Sequence, residues 1–197
     1  SETSDGAFVI FRMLARRSQP PLAKTSEKIA LPVLRRLPWM PAAGEPICYQ
    51  APMTTRDARW TVHPHQPLEK LSENLWRLEG DVPRTPLRRV MTLVRRVDGS
   101  LVVHNGIAVD GPTLSTIEAL GPIAAIVVPS GYHRMDAPAY AARFPDAKVY
   151  CPFGASSSVR KVVRVDGTYA DFPRDERLHF EELDGTGGSE GVGIVND

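Results

Sequence analysis

The sequence predicts a layered α/β protein, and three observations carry that reading. Two apolar stretches, residues 90–97 and Leu101–His104, flank the turn dipeptide Asp98-Gly99, which is the signature of an antiparallel hairpin. The run 123–128 is apolar throughout and bracketed by Pro122 and Pro129, as a strand buried on both faces should be. After the hairpin, helical and extended segments alternate, the order that stacks helices on a sheet.

The elements follow along the chain. Residues 1–60 read as an arm rather than a compact domain, with Pro20-Pro21, Pro38, Pro41, Pro46 and Pro52 favouring extended backbone. Short helices are expected over 8–17 and 29–37, and Phe8, Phe11, Leu34, Leu37, Trp39 and Met40 need a surface to cover them. From residue 61 to 197 the texture is that of a folded domain. Residues 74–78 read as a strand ahead of the hairpin. A helix over 113–120 is opened by Gly111-Pro112 and closed by Gly121-Pro122. The core strand leads into a polar loop, a helix over Ala137–Arg143, a strand over Lys148–Cys151, a helix over 156–163 and a strand over 179–183.

Composition narrows the class. The chain has 197 residues, 42% hydrophobic and 24% charged, enough for one domain with a sizeable core. Its eighteen prolines are nearly twice the usual share of about 5%. Net charge is +1, yet residues 1–60 carry nine Lys/Arg against five Asp/Glu, and residues 165–197 carry two against nine. The basic front suits an acidic partner or a membrane surface, and the acidic tail argues against nucleic acid. Cys48 and Cys151 form neither a disulfide framework nor a CxxC pair, so reduced buried thiols and a reducing intracellular compartment (cytoplasm or organelle interior) are expected. No apolar run approaches the roughly 20 residues of a membrane span.

A more specific resemblance rests on particular residues. Leu68-Glu69-Lys70-Leu71, Asn74-Leu75-Trp76, Leu101-Val102-Val103-His104-Asn105-Gly106-Ile107-Ala108, Leu120-Gly121-Pro122-Ile123 and Val127-Val128-Pro129 lie in order with Tyr132-His133 and Phe144-Pro145-Asp146-Ala147-Lys148-Val149-Tyr150-Cys151-Pro152. Phe180-Glu181-Glu182-Leu183, Gly185-Thr186 and Glu190-Gly191-Val192 complete the series. Over about residues 66–195 the chain resembles an uncharacterised family of metallo-β-lactamase-like proteins with a degenerate metal-binding motif. The resemblance implies an αββα sandwich, here partial or shortened, carrying the extended N-terminal arm. Its open sheet edge and uncovered apolar face would then call for a partner.

It also implies where metal chemistry would sit. Active members read Thr-His-x-His-x-Asp-His after the core strand; this chain reads Pro129-Ser130-Gly131-Tyr132-His133-Arg134-Met135-Asp136. They carry Asp-x-Gly where this chain has His104-Asn105-Gly106, and a later histidine where residues 185–191 have none. Zinc catalysis needs three or four converging ligands and an open position for water.

Candidate residues follow from these positions. His104 and His133 are the best residual metal or acid–base pair, with Asp136 three residues beyond His133; hydrogen-bonded structural histidines are the plain alternative. Asp110, Tyr132 and Arg134 complete the rim, and Arg134–Asp136 reads equally as a local ion pair. His63-Pro64-His65 has a spacing metals can use, though a solvent-facing segment explains it as well. Ser130-Gly131 lacks the surroundings of a nucleophile elbow. Thr186-Gly187-Gly188-Ser189 could cradle an anion on its backbone. Arg88-Arg89 and Arg95-Arg96 read as a solvated face.

The leading expectation is a non-catalytic accessory or structural subunit of a larger protein assembly, without a cofactor. The alternative is a hydrolase using zinc, iron or manganese around His104, His133 and Asp136. Peripheral membrane contact through residues 8–17 is a third expectation.

Overall fold

The computed structural model describes residues 58–196, together with the strand pairing of Phe8–Val9. The helix expected over 29–37, Cys48 and the docking side chains Phe11, Leu34, Leu37, Trp39 and Met40 lie outside the described residues. Phe8–Val9 is strand β1, which corrects the helix expected to start there. The local sequence Phe8-Val9-Ile10 is rich in residues that prefer a pleated surface, and a sheet edge is present to pair with it.

Seven strands build the large sheet, in spatial and chain order β2 (Glu69–Lys70), β3 (Leu75–Asp81), β4 (Arg88–Arg95), β5 (Leu101–His104), β6 (Ile123–Val127), β7 (Lys148–Cys151) and β8 (Gly167–Thr168). Pairing is antiparallel from β2 to β5 and parallel from β5 to β8. Helix α1 (Gly111–Leu120) connects β5 to β6, and α2 (Ala137–Arg143) connects β6 to β7. The short α3 (Ser156–Val159) lies between β7 and β8. A second, antiparallel sheet has the order β1-β10-β9, with β9 at Leu178–Glu182 and β10 at Gly191–Val195.

Strand alternation divides the core into two layers. Trp76, Leu78, Met91, Leu93, Leu101, Val103, Ile126, Val149 and Cys151 pack with Ile117 and Tyr140 of the helices. Their neighbours Leu75, Val94, Val102, Ala125, Val127 and Tyr150 pack instead with Tyr169, Leu178 and Val195 beneath the small sheet. The period of two along each strand is what sends successive side chains to opposite layers. The described residues thus form a helix layer, a large sheet and a small sheet, three of the four layers that an αββα sandwich stacks. Among them, no helix is long and apolar enough to cross a membrane.

Local chemistry explains where elements begin and end. Asp110 caps α1 by accepting from Thr113 N–H at 2.9 Å, and proline follows in the first turn. The hairpin differs from the expected two-residue turn. Gly99 N–H donates to Arg96 O, Arg96 N–H donates to Ser100 O, and Gly99 takes φ +82°, which is a three-residue loop closed by a left-handed glycine. Asp98 holds it by accepting from both Ser100 N–H and Ser100 Oγ. The helix expected over 156–163 stops at Val159, because Val162, Val163 and Val165 disfavour helix and pack into the helix-side core instead.

Candidate functional site

The carboxyl ends of the parallel strands gather the chemistry-bearing residues, as open α/β sheets generally arrange them. His104 ends β5, the loop 129–136 leaves β6, and Phe153–Ala155 turns away from β7. His104 shares the side-chain parity of Val102, so its ring enters the layer between the sheets. There it lies parallel to Phe180, with centroids 6.3 Å apart and planes 5° off. The residue is 7% exposed, and its Nε2 has no hydrogen-bond partner among the described residues.

His133 arrives from the loop. Its Nδ1 shares a 2.7 Å hydrogen bond with Ser130 Oγ, its N–H donates to Ser130 O, and Ser130 Oγ accepts from Tyr132 N–H. A backbone bridge joins Ser130 to Glu190, which brings the β9–β10 hairpin to the same place. Burial, and next the neighbouring His133, push His104 down to about 4. Burial also lowers His133, opposed by the charge of Glu190. Both imidazoles are therefore mainly neutral at pH 7.

Asp136 goes elsewhere. It precedes α2, and Oδ2 accepts from Arg89 Nη2 at 2.5 Å and from Ala108 N–H at 2.9 Å. Both side chains of this ion pair are under a tenth exposed. The expected Arg134–Asp136 pair is corrected accordingly: Arg134 instead donates to Ser158 O at 2.6 Å. A carboxylate already neutralised by a buried guanidinium and bonded to a backbone amide is poorly placed to ligate an ion.

The remaining candidates lie outside the cleft or are already engaged. Asp110 is the α1 cap, and Tyr132 projects into solvent at 85% exposure. His65 Nδ1 faces Gln66 O at 2.9 Å and its Nε2 accepts from Asp110 N–H at 3.2 Å, so both ring nitrogens are occupied. Ser130 is 2% exposed, and its hydroxyl is engaged by His133 Nδ1 and Tyr132 N–H. In the glycine-rich turn, Thr186 N–H donates to Leu183 O and Ser189 N–H donates to Thr186 O, so these two amides are turned inward.

The arginine pairs are not a uniform solvated face. Arg88 lies beside Glu79 and Asp81, Arg89 is buried against Asp136, Arg95 sits over Trp76, and Arg96 meets Asp175 and lies over Phe172. Cys151 is a buried free thiol, pushed up to about 11 by burial.

A metal fits this set poorly. Among the described residues, no group of three or more His, Cys, Asp or Glu could hold an ion. The cleft offers two imidazoles, His104 with Nε2 unbonded and His133 bonded only through Nδ1, and its third expected donor is engaged by Arg89.

Comparison with solved structures bears on the fold. The chain is similar to a metallo-β-lactamase from Hirschia baltica, with a TM-score of 0.50 and 14% identity over 66% of each chain. It is also similar to a metallo-β-lactamase from Erythrobacter litoralis (TM-score 0.49, 10% identity, 64% of each chain). A third similarity is to the metallo-β-lactamase FIM-1 of Pseudomonas aeruginosa in its mono-zinc form (TM-score 0.47, 12% identity, 67% of this chain and 65% of that one). The chain thus spans slightly less than two thirds of the length of the Hirschia baltica protein. No family model and no curated protein matches it. The fold is metallo-β-lactamase-like, and likeness at this identity speaks to the fold alone.

Proposed function

We propose that this chain is a non-catalytic subunit of a larger protein assembly, built on a metallo-β-lactamase-like scaffold. The observation that carries the reading is the engagement of Asp136 by Arg89 and Ala108 N–H, which leaves two neutral imidazoles where hydrolytic chemistry would need a converging ligand set. Docking is assigned to the arm, through Phe8, Phe11, Leu34, Leu37, Trp39 and Met40, and to the open side of the small sheet. The compartment is taken to be reducing, in keeping with the buried free thiol of Cys151.

The test combines two measurements on protein from its native source. Light scattering after size exclusion should show a particle well above 21.7 kDa, and cross-links should map to the arm and small sheet. Elemental analysis of the same fraction should find no stoichiometric zinc, iron or manganese. A free monomer carrying one metal per chain, with hydrolysis of an ester or thioester lost on chelation, would establish the hydrolase reading instead.

A further inference from the structure

We propose that the outer edge of β9 is a strand-addition site for an extended, basic segment of a partner protein. This deepens the assembly reading and rests on it. Among the described residues, β9 is an edge strand, paired only with β10. The ladder between them is bracketed by Leu183 N–H donating to Glu190 O and Asn196 N–H donating to Arg177 O. Antiparallel alternation therefore turns the amides and carbonyls of His179 and Glu181 toward β10, and those of Leu178, Phe180 and Glu182 outward. These outward backbone groups have no hydrogen bond among the described residues. An open edge of this kind is a template for another strand.

The space beside the edge favours an occupant with side chains of its own. A cleft of about 520 Å³ runs between β9 and the 169–176 connection. Tyr169, Phe172, Leu178 and Phe180 contribute to its walls, which suits apolar groups at alternate positions of an added strand. Charge selects the partner further. Glu176 and Asp184 lie next to the edge, with Glu181 facing His179 at 3.4 Å and Glu182 accepting from Phe153 N–H, against Arg174 and Arg177, while Asp175 is already paired with Arg96; acidic groups remain in excess. A segment alternating Val or Leu with Lys or Arg matches edge, cleft and charge together. A second copy of β9 matches less well. Antiparallel self-pairing about Phe180 would set Leu178 against Glu182, and the inward side chains Leu178 and Phe180 are committed to their own core.

The probe is an acetylated Lys-Val-Arg-Val-Lys-Val amide added to the full chain, followed by amide hydrogen exchange and titration. Leu178, Phe180 and Glu182 should exchange freely in the isolated chain and become protected on binding. N-methylation of the probe at the positions facing β9 should weaken it by at least about tenfold, because each lost backbone bond is worth a factor of roughly 2–10. Glu176→Lys combined with Asp184→Lys should weaken the unmethylated probe and leave the circular dichroism spectrum unchanged.

Equal binding of the methylated probe would overturn the inference, as would indifference to the charge reversal. Protection of the three amides in the isolated chain would overturn it too, by assigning the edge to the chain's own arm or a second copy. If the native assembly is recovered with these amides unprotected, strand addition fails while the assembly reading stands. If the chain is a free monomer in its source yet binds the probe through these amides, the assembly reading fails instead.

Discussion

Replacing Asp136 with asparagine separates a structural carboxylate from a metal-binding one. The side chain keeps its shape and one acceptor for Ala108 N–H, but the countercharge to Arg89 is lost. The guanidinium is under a tenth exposed and its Nε already lacks a partner, so water cannot readily replace the carboxylate. Removing one member of a buried pair typically costs 3–5 kcal/mol, and the surviving amide bond places this case near about 3 kcal/mol. At roughly 2–4 °C per kcal/mol for a chain of this size, melting should fall by about 6–12 °C. Urea unfolding of Asp136→Asn, Arg89→Met and the double variant measures the coupling directly. The double variant should be more stable than Asp136→Asn alone, since it no longer buries an unpaired cation. A loss under about 1 kcal/mol in Asp136→Asn, or independent effects of the two substitutions, would refute the argument. A ligand role predicts the opposite pattern, with metal content falling and stability of the metal-free protein unchanged.

Further expectations concern the inter-sheet layer and the helix-side core. His104 has a folded pKa of about 4 against 6.5 when unfolded, so between those values the unfolded chain binds more protons and stability falls as pH falls. At pH 4.5 the loss from this group is on the order of 2–3 kcal/mol relative to pH 7.5, and His104→Leu should remove most of that difference in urea midpoints at the two pH values. Gly191→Ala should destabilise by about 1–3 kcal/mol, because its methyl group would overlap the Tyr169 ring and approach Glu181 O at 2.8 Å; thermal unfolding checks it. Tyr140→Phe leaves Ile107 O without the 2.8 Å bond from the buried phenol and should cost about 1–2 kcal/mol in the same measurement.

Elements with sharp punctuation were readable from the chain alone. Prolines and glycines around residues 113–120 and 123–128 mark real boundaries, and Ala137–Arg143 and Lys148–Cys151 form as the pattern predicts. Strand β10 was not readable, because Gly191-Val192-Gly193-Ile194-Val195 resembles a loop. Its glycines face inward, where Cβ atoms would press on the rings of Tyr169 and Phe180, so a signal of low strand propensity arises from tight packing. Strands β2 and β8 have two residues each and carry no period at all.

The site was legible only where chain position alone decides it. His104 ends a strand and His133 follows one, and these two do come close enough to interact. Asp136 lies apart from them although its spacing of three residues suggests a shared face, because the chain does not stay on one face there. Between His133 and Asp136 it passes from the inter-sheet side to the start of α2 in the helix layer, where Arg89 waits from 47 residues earlier. Glu190 reaches Ser130 through a bridge between distant segments, which no local pattern reports.

The two histidines have surroundings that account for their placement. His104 is wedged against Phe180, and His133 closes its own loop through Ser130, so each has a packing or hydrogen-bonding task. The unpartnered Nε2 of His104 costs free energy where it lies, on the order of 1–3 kcal/mol for a buried polar group. An apolar side chain would remove that cost while filling the layer beside Phe180. His104→Leu at pH 7.5 should therefore leave stability unchanged or raise it by about 1 kcal/mol, while His133→Leu, which breaks the Ser130 bond, should lower it by about 1 kcal/mol. If His104→Leu instead destabilises by several kcal/mol, Nε2 has a partner in solution, and the cleft holds a ligand that the side chains alone do not account for.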